Sequence, residues 1–177
     1  MEIYRRAWRK IRMRYAGIIK NDFAAAPGTC VTFFTQGCPH RCAGCHNPET
    51  WDFNGGKEFE GNTIEEITEA LTANGIHRNL CIMGGEPMCA ENQFLTLLVI
   101  KTIKERLPDT KVYLWTGYTL DELLNTTVGS KTKAILELCD TIIDGRYDNT
   151  KRDITLFMRG STNQRIINVK DIPELTK

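Results

Sequence analysis

Between Gly37 and Gly61 the sequence carries neither a helical nor a strand pattern. Pro39 and Pro48 interrupt it, Asn54-Gly55-Gly56 turns it, and Cys38, Cys42 and Cys45 fall inside it. Connections longer than about 15 residues are uncommon inside compact domains and usually serve a function. What flanks this one constrains the fold. Cys30–Thr35 (CVTFFT) just before it is β-branched and aromatic, the composition of a strand. Beyond it, Asn62 or Thr63 opens a helix with Glu65 and Glu66 in its first turn. Ile64, Ile67, Ala70 and Leu71 share one face of that helix, and Asn74-Gly75 ends it.

The alternation continues along the chain. Met13–Ile19 reads as a short strand and Asn21–Gly28 as a loop. Further strands are expected at Asn79–Met83, Lys111–Trp115, Thr141–Ile143 and Arg165–Val169. Helices are expected at Glu91–Leu107, Leu120–Leu124 and Lys131–Leu138. The inner face of the first is traced by Phe94, Leu97, Leu98 and Ile100 or Lys101. This order predicts an α/β fold with a mostly parallel sheet, in which functional groups gather on the loops after the strands. One domain is expected over 1–177, with a basic arm at 1–13 and a polar tail at 170–177.

Composition excludes several classes. The 177 residues are 41% hydrophobic and 25% charged, an ordinary globular balance rather than a disordered or fibrous one. The longest aliphatic run near the middle is Leu97–Ile100, too short to span a membrane. No secretory leader pattern opens the chain, so a cytoplasmic protein is expected. The net charge of +1 hides an asymmetry. Arg5, Arg6, Arg9, Lys10, Arg12, Arg14 and Lys20 face only Glu2 among the first twenty residues. A solvated arm explains this best, because no stacking-aromatic or recognition-helix pattern points to nucleic acid. The seven cysteines, an odd number, argue against a closed disulfide framework and for metal or redox chemistry in a reducing compartment.

Cys38, Cys42 and Cys45 give the spacing C-x3-C-x2-C, three thiolates able to face one soft metal centre. A structural zinc would need a fourth ligand, for which His40, His46, Cys30, Cys81 and Cys89 are candidates. A four-iron cluster with one open site needs no fourth. After the next strand comes Met83-Gly84-Gly85-Glu86-Pro87, where glycines permit close backbone approach and Glu86 offers an acceptor. Thr116-Gly117-Tyr118 and Asp144-Gly145-Arg146-Tyr147 follow the later strands, and Arg159–Arg165 (RGSTNQR) precedes the last.

This set resembles the radical S-adenosylmethionine (SAM) superfamily. The stretch Thr35–Gly56 (TQGCPHRCAGCHNPETWDFNGG) is similar to that of its glycyl-radical activating enzymes, in particular those serving an anaerobic ribonucleoside-triphosphate reductase. The resemblance runs from about Arg14 to Val169. It implies a short, incomplete (open) parallel β/α barrel carrying one [4Fe-4S] cluster. Cys38, Cys42 and Cys45 would hold three irons, and SAM would chelate the fourth. Gly44, Cys45 and His46 would line SAM through backbone groups, and Gly84, Gly85, Glu86 and Pro87 would grip its methionyl end. The reduced cluster would cleave SAM to a 5′-deoxyadenosyl radical, so no side chain of the chain is assigned as catalytic. The radical would take hydrogen from a backbone glycine of the reductase's large subunit. A low-potential donor such as flavodoxin or ferredoxin would supply the electron, and neither nucleic acid nor membrane would be a partner. Gly44 stands where an aromatic residue is usual, which removes an expected packing wall. Cys30 and Cys81 are expected in buried strands and Cys139 in the core. Cys89 is the spare thiol expected near the active face, open to oxidation.

Overall fold

β-branched and aromatic runs form most of the strands, and mixed apolar and polar runs form the helices, in a computed structural model that describes residues 13–125 and 131–175. The expected basic arm lies outside the described residues except for Met13, which is buried. The elements in chain order are β1 (Arg14–Asp22), β2 (Cys30–Thr35), β3 (Lys57–Glu58), α1 (Gly61–Thr72), β4 (Asn79–Gly84) and α2 (Gln93–Arg106). Then follow β5 (Val112–Trp115), α3 (Leu120–Asn125), α4 (Thr132–Leu138), β6 (Thr141–Asp144) and β7 (Arg165–Asn168). Helix α1 starts on a capping box, with Thr63 Oγ1 accepting the Glu60 backbone N–H at 3.2 Å.

The seven strands form one sheet in the order β3-β1-β2-β4-β5-β6-β7. It is not closed, and β3 and β7 are its edges. The expected parallel arrangement holds for the four central strands, β2, β4, β5 and β6. Strands β1, β3 and β7 pair antiparallel to their neighbours. Because the parallel strands are laid side by side in chain order, right-handed crossovers put their helices on one face. Val31, Phe33, Leu80, Ile82, Val112, Leu114 and Ile142 pack there against Ile67, Leu71, Ile100, Ile103 and Ile135. Strand side chains alternate between faces. Cys30, Cys81 and Tyr113 therefore point the other way. With Ala25 and Ala26 they make a small second cluster, against which Met83, Trp115 and Met158 pack.

Three details depart from the expectations. Lys57–Glu58 pairs with Arg14–Tyr15, so the long connection adds a short edge strand to the sheet. The stretch after Val169 is no polar tail, because Ile172 and Leu175 are buried in the main core. The inner face of α2 is Gln93, Leu95, Thr96, Val99, Ile100 and Ile103, while Phe94, Leu97 and Leu98 are only partly buried. Apolar residues surround this helix on all sides, so its sequence does not mark one face. Two buried polar residues orient it. Gln93 Nε2 donates to Met88 O at 2.9 Å and to Thr132 Oγ1 at 2.8 Å, and Thr96 Oγ1 donates to Pro87 O at 2.9 Å. These bonds tie α2 to the segment that follows β4 and to the start of α4.

Truncating a fully buried position of α2 should therefore cost more than truncating a partly buried one. Ile100→Ala is expected to lower stability by about 2–5 kcal/mol, and Leu97→Ala by less than half as much. Urea unfolding of the reduced, metal-free chain measures both.

Candidate metal centre

Parallel pairing brings the C-terminal ends of β2, β4, β5 and β6 to one edge of the sheet, and with them the four sequence motifs. The cysteine loop leaves β2 and is closed at its base. Gly37 N–H donates to Thr50 O at 2.8 Å, and Cys38 N–H to Trp51 O at 3.2 Å. Gln36, buried beneath, donates through Nε2 to Asp52 O at 2.7 Å and Glu49 O at 3.1 Å. Inside the loop Cys45 N–H closes a turn on Cys42 O at 3.1 Å. All three thiols are free and half-buried. Burial pushes the Cys38 and Cys42 thiols up. Negative charge at Cys42 and Glu86 adds to this for Cys38, and charge at Cys45 for Cys42.

Thiols that oppose one another's ionisation are the donor set that a cationic iron centre relieves, since thiolates bind metal in the deprotonated form. Among the described residues, no three His, Cys, Asp or Glu side chains gather as a site for a single ion. A multi-iron cluster places each thiolate on a different iron, so it does not need such a point. The chemistry of the loop fits that group. Of the residues weighed as a fourth zinc ligand, Cys30, Cys81 and Cys89 are buried within the sheet or core and His40 is engaged elsewhere. His46 is exposed.

Glu86 joins the strand ends. Its side chain is 1% exposed. Oε1 accepts the Met88 N–H at 2.9 Å and the Thr116 hydroxyl at 2.7 Å. Oε2 accepts the Gly117 N–H at 2.6 Å and the His40 ring at 2.8 Å. His40 belongs to the cysteine loop, Met88 follows β4, and Thr116 and Gly117 follow β5. Arg146, after β6, donates from Nε to His40 Nδ1 at 3.1 Å, which leaves Nε2 to carry the proton given to Glu86. Tyr118 lies edge-on to the His40 ring at 4.6 Å. Sequence reading singled out Glu86 but not His40 or Arg146 as its partners. A His two residues past the first cysteine was the available signal.

The neighbouring glycines serve packing between loops. A Cβ on Gly85 would stand 2.3 Å from Gly37 O, and Glu86 N–H bonds that same carbonyl at 2.9 Å. Gly84 and Gly85 are half-buried, while Glu86 and Pro87 are buried. Gly44 has φ +72, and a Cβ there would come 2.7 Å from Asn149 Oδ1. Asn149 Oδ1 accepts the Tyr147 hydroxyl at 3.1 Å and packs against that glycine. Thr116 reaches Glu86, and Asp144, fully buried, accepts from Leu120 N–H at 2.7 Å and is clasped by Arg165 through Nε at 3.0 Å. Cys89 corrects an expectation. It is 2% exposed, and burial pushes its thiol well above the ordinary range, so it is no accessible redox group. An open cleft of about 450 Å³ runs along Arg41, Glu49, Trp51 and Phe53 of the same loop.

Known proteins resemble this arrangement over most of its length. A family model described as a 4Fe-4S single cluster domain matches residues 24–167. The anaerobic ribonucleoside-triphosphate reductase-activating protein of Pasteurella multocida is 36% identical over 155 residues, covering 87% of this chain and 96% of that one. The protein of the same name from Enterobacteria phage T4 is 34% identical over 154 residues, 87% and 93%. That from Escherichia coli K12 is 32% identical over 153 residues, 86% and 96%.

Removing His40 should loosen the cysteine loop without touching a thiol. His40→Ala is expected to weaken cluster retention, because it cuts the tie between the cysteine loop and Glu86. His40→Gln, whose amide N–H can still reach Glu86, should restore part of it. Iron release to a chelator after anaerobic reconstitution checks both.

Proposed function

The chain belongs to the anaerobic ribonucleoside-triphosphate reductase-activating proteins and carries their 4Fe-4S single cluster domain, and from that premise we propose that it installs a glycyl radical on the reductase's large subunit, using SAM. One observation carries the reading. Three free, half-buried cysteines sit on a loop that is pinned to the C-terminal ends of the parallel strands. A [4Fe-4S] cluster held there by Cys38, Cys42 and Cys45 would supply one-electron reductive cleavage of SAM, and with it the radical chemistry needed to take hydrogen from the partner's glycine.

The chain's own residues do the holding. Cys38, Cys42 and Cys45 would bind three irons. Gly44, Cys45 and His46 would line SAM with main-chain groups, and Gly84, Gly85, Glu86 and Pro87 would flank its methionyl end. Glu86 already accepts four hydrogen bonds within the chain, so its carboxylate would act by fixing the loop that faces SAM. Asn149 and Tyr147 would supply the wall beside Gly44. The sheet would serve as a short, incomplete barrel whose helix-free face receives the partner. A flavodoxin or ferredoxin in the cytoplasm would deliver the electron. No helix among the described residues is long and apolar enough to cross a membrane.

The test is anaerobic. The reconstituted chain should hold iron and sulfide, release 5′-deoxyadenosine from SAM on reduction, and give a glycyl-radical signal only with the reductase. Cys38→Ala, Cys42→Ala and Cys45→Ala should each abolish SAM cleavage, whereas Cys139→Ala should retain it. Absence of iron uptake would sink the reading. SAM cleavage without a radical on the reductase would point to a small-molecule substrate instead.

A further inference from the structure

The connection between β6 and β7 contains a hairpin that the chemistry above leaves without a task. Thr162 N–H donates to Lys151 O at 3.0 Å and Asp153 N–H to Gly160 O at 3.2 Å, and Arg152 bridges Ser161. The tip between them reads Ile154-Thr155-Leu156-Phe157-Met158. Ile154 is 81% exposed and Phe157 59%. Side chains of this size on a turn would ordinarily fold back or be replaced by polar ones.

The tip is nonetheless held in shape. Asp153 Oδ1 accepts both the N–H and the hydroxyl of Thr155, at 2.9 and 2.6 Å. Met158 adopts φ +59, a left-handed conformation that is strained for a non-glycine residue. Its carbonyl is gripped by Trp115 Nε1 at 2.9 Å. Gln164 Oε1 accepts the Gly160 and Ser161 N–H groups at 2.9 and 3.2 Å. Ordering that an interface would otherwise have to impose is already built in, which favours binding. At its base the hairpin meets the cysteine loop, through Asn149 against Gly44 and the Tyr147 backbone against Cys42. Its inner side, Met158, packs on the helix-free face of the sheet. Beside the tip, Arg152 is exposed and has no ion pair among the described residues.

We infer that residues 151–162 are the docking element for the reductase's glycyl-radical subunit. Ile154 and Phe157 would enter an apolar socket on that subunit, and Arg152 would meet an acidic group at its rim. The inference rests on the function proposed above, because a radical meant for a backbone glycine requires that protein to stand against the cysteine loop. A contact made on this hairpin is tied to that loop through Tyr147 and Asn149.

The experiment compares the full chain with the double variant Ile154→Ser/Phe157→Ser, with Arg152→Glu, and with Ile76→Ser. Ile76 is 48% exposed in the turn between α1 and β4 and serves as the control. All four, reconstituted anaerobically, are expected to hold equal iron and to cleave SAM equally without the reductase. The double variant should bind the subunit at least about tenfold more weakly, the loss of an apolar anchor worth 1.4 kcal/mol or more. Its radical yield should recover when the subunit is in excess. Arg152→Glu should mainly slow association and flatten its salt dependence. Unchanged affinity in the double variant, or an equal loss in Ile76→Ser, would overturn the assignment. An unmodified chain that cleaves SAM but neither binds nor activates the subunit would overturn the proposed function, and the docking role with it.

Discussion

Burying a carboxylate costs several kcal/mol unless donors meet its oxygens. Glu86 satisfies that demand with four donors drawn from three different loops. The electrostatic need of one group thereby becomes a geometric rule for the site. Each donor is held at a fixed distance from the same two atoms, so the cysteine loop, the segment after β4 and the segment after β5 are held relative to one another. Arg146 extends the rule to the end of β6 through His40. Hydrogen bonds to a charged acceptor are roughly twice as strong as neutral ones, and a buried setting strengthens them further. A loop rich in Gly and Pro is thus kept in place without regular secondary structure of its own.

The topology explains why those ends meet. Strands β2, β4, β5 and β6 are neighbours in chain order, so each crossover repeats the same handed step and every terminus advances along the same edge. The step also segregates the faces. Helices cover one side with the main core, and the other keeps only the small cluster around Cys30, Cys81 and Tyr113. A sheet one face of which is free of helices can receive a ligand or another protein there. Strand β7 runs antiparallel beside β6, so the chain between them must turn back across that edge, which carries the hairpin to the cysteine loop.

Much of this was legible because it is local. The strand at Cys30–Thr35 and the buried face of α1 follow from composition and period, and both stand where the sequence puts them. The motif residues also fall at strand ends, since alternation of strand and helix dictates where loops lie. The sequence did not disclose pairings between distant segments. His40 and Glu86 are 46 residues apart, and His40 and Arg146 are 106 apart. Helix α2 was placed, but of its expected inner face only Ile100 is fully buried, with Phe94, Leu97 and Leu98 partly so. Its buried Gln93 and Thr96 look like surface residues until Met88 and Pro87 offer them carbonyls. Cys89 looked available for the opposite reason, since its closeness in sequence to Glu86 says nothing about depth.

Gly44 depends on a segment far from its own loop. In the fold, its left-handed backbone and lack of a Cβ are what let Asn149 approach from a connection more than a hundred residues downstream. An aromatic residue at this position would supply its own wall and would have to displace Asn149. With glycine, Asn149 packs against this turn, and the Tyr147 backbone meets Cys42. The cysteine loop and the base of the exposed hairpin therefore meet at Tyr147 and Asn149, one short piece of chain.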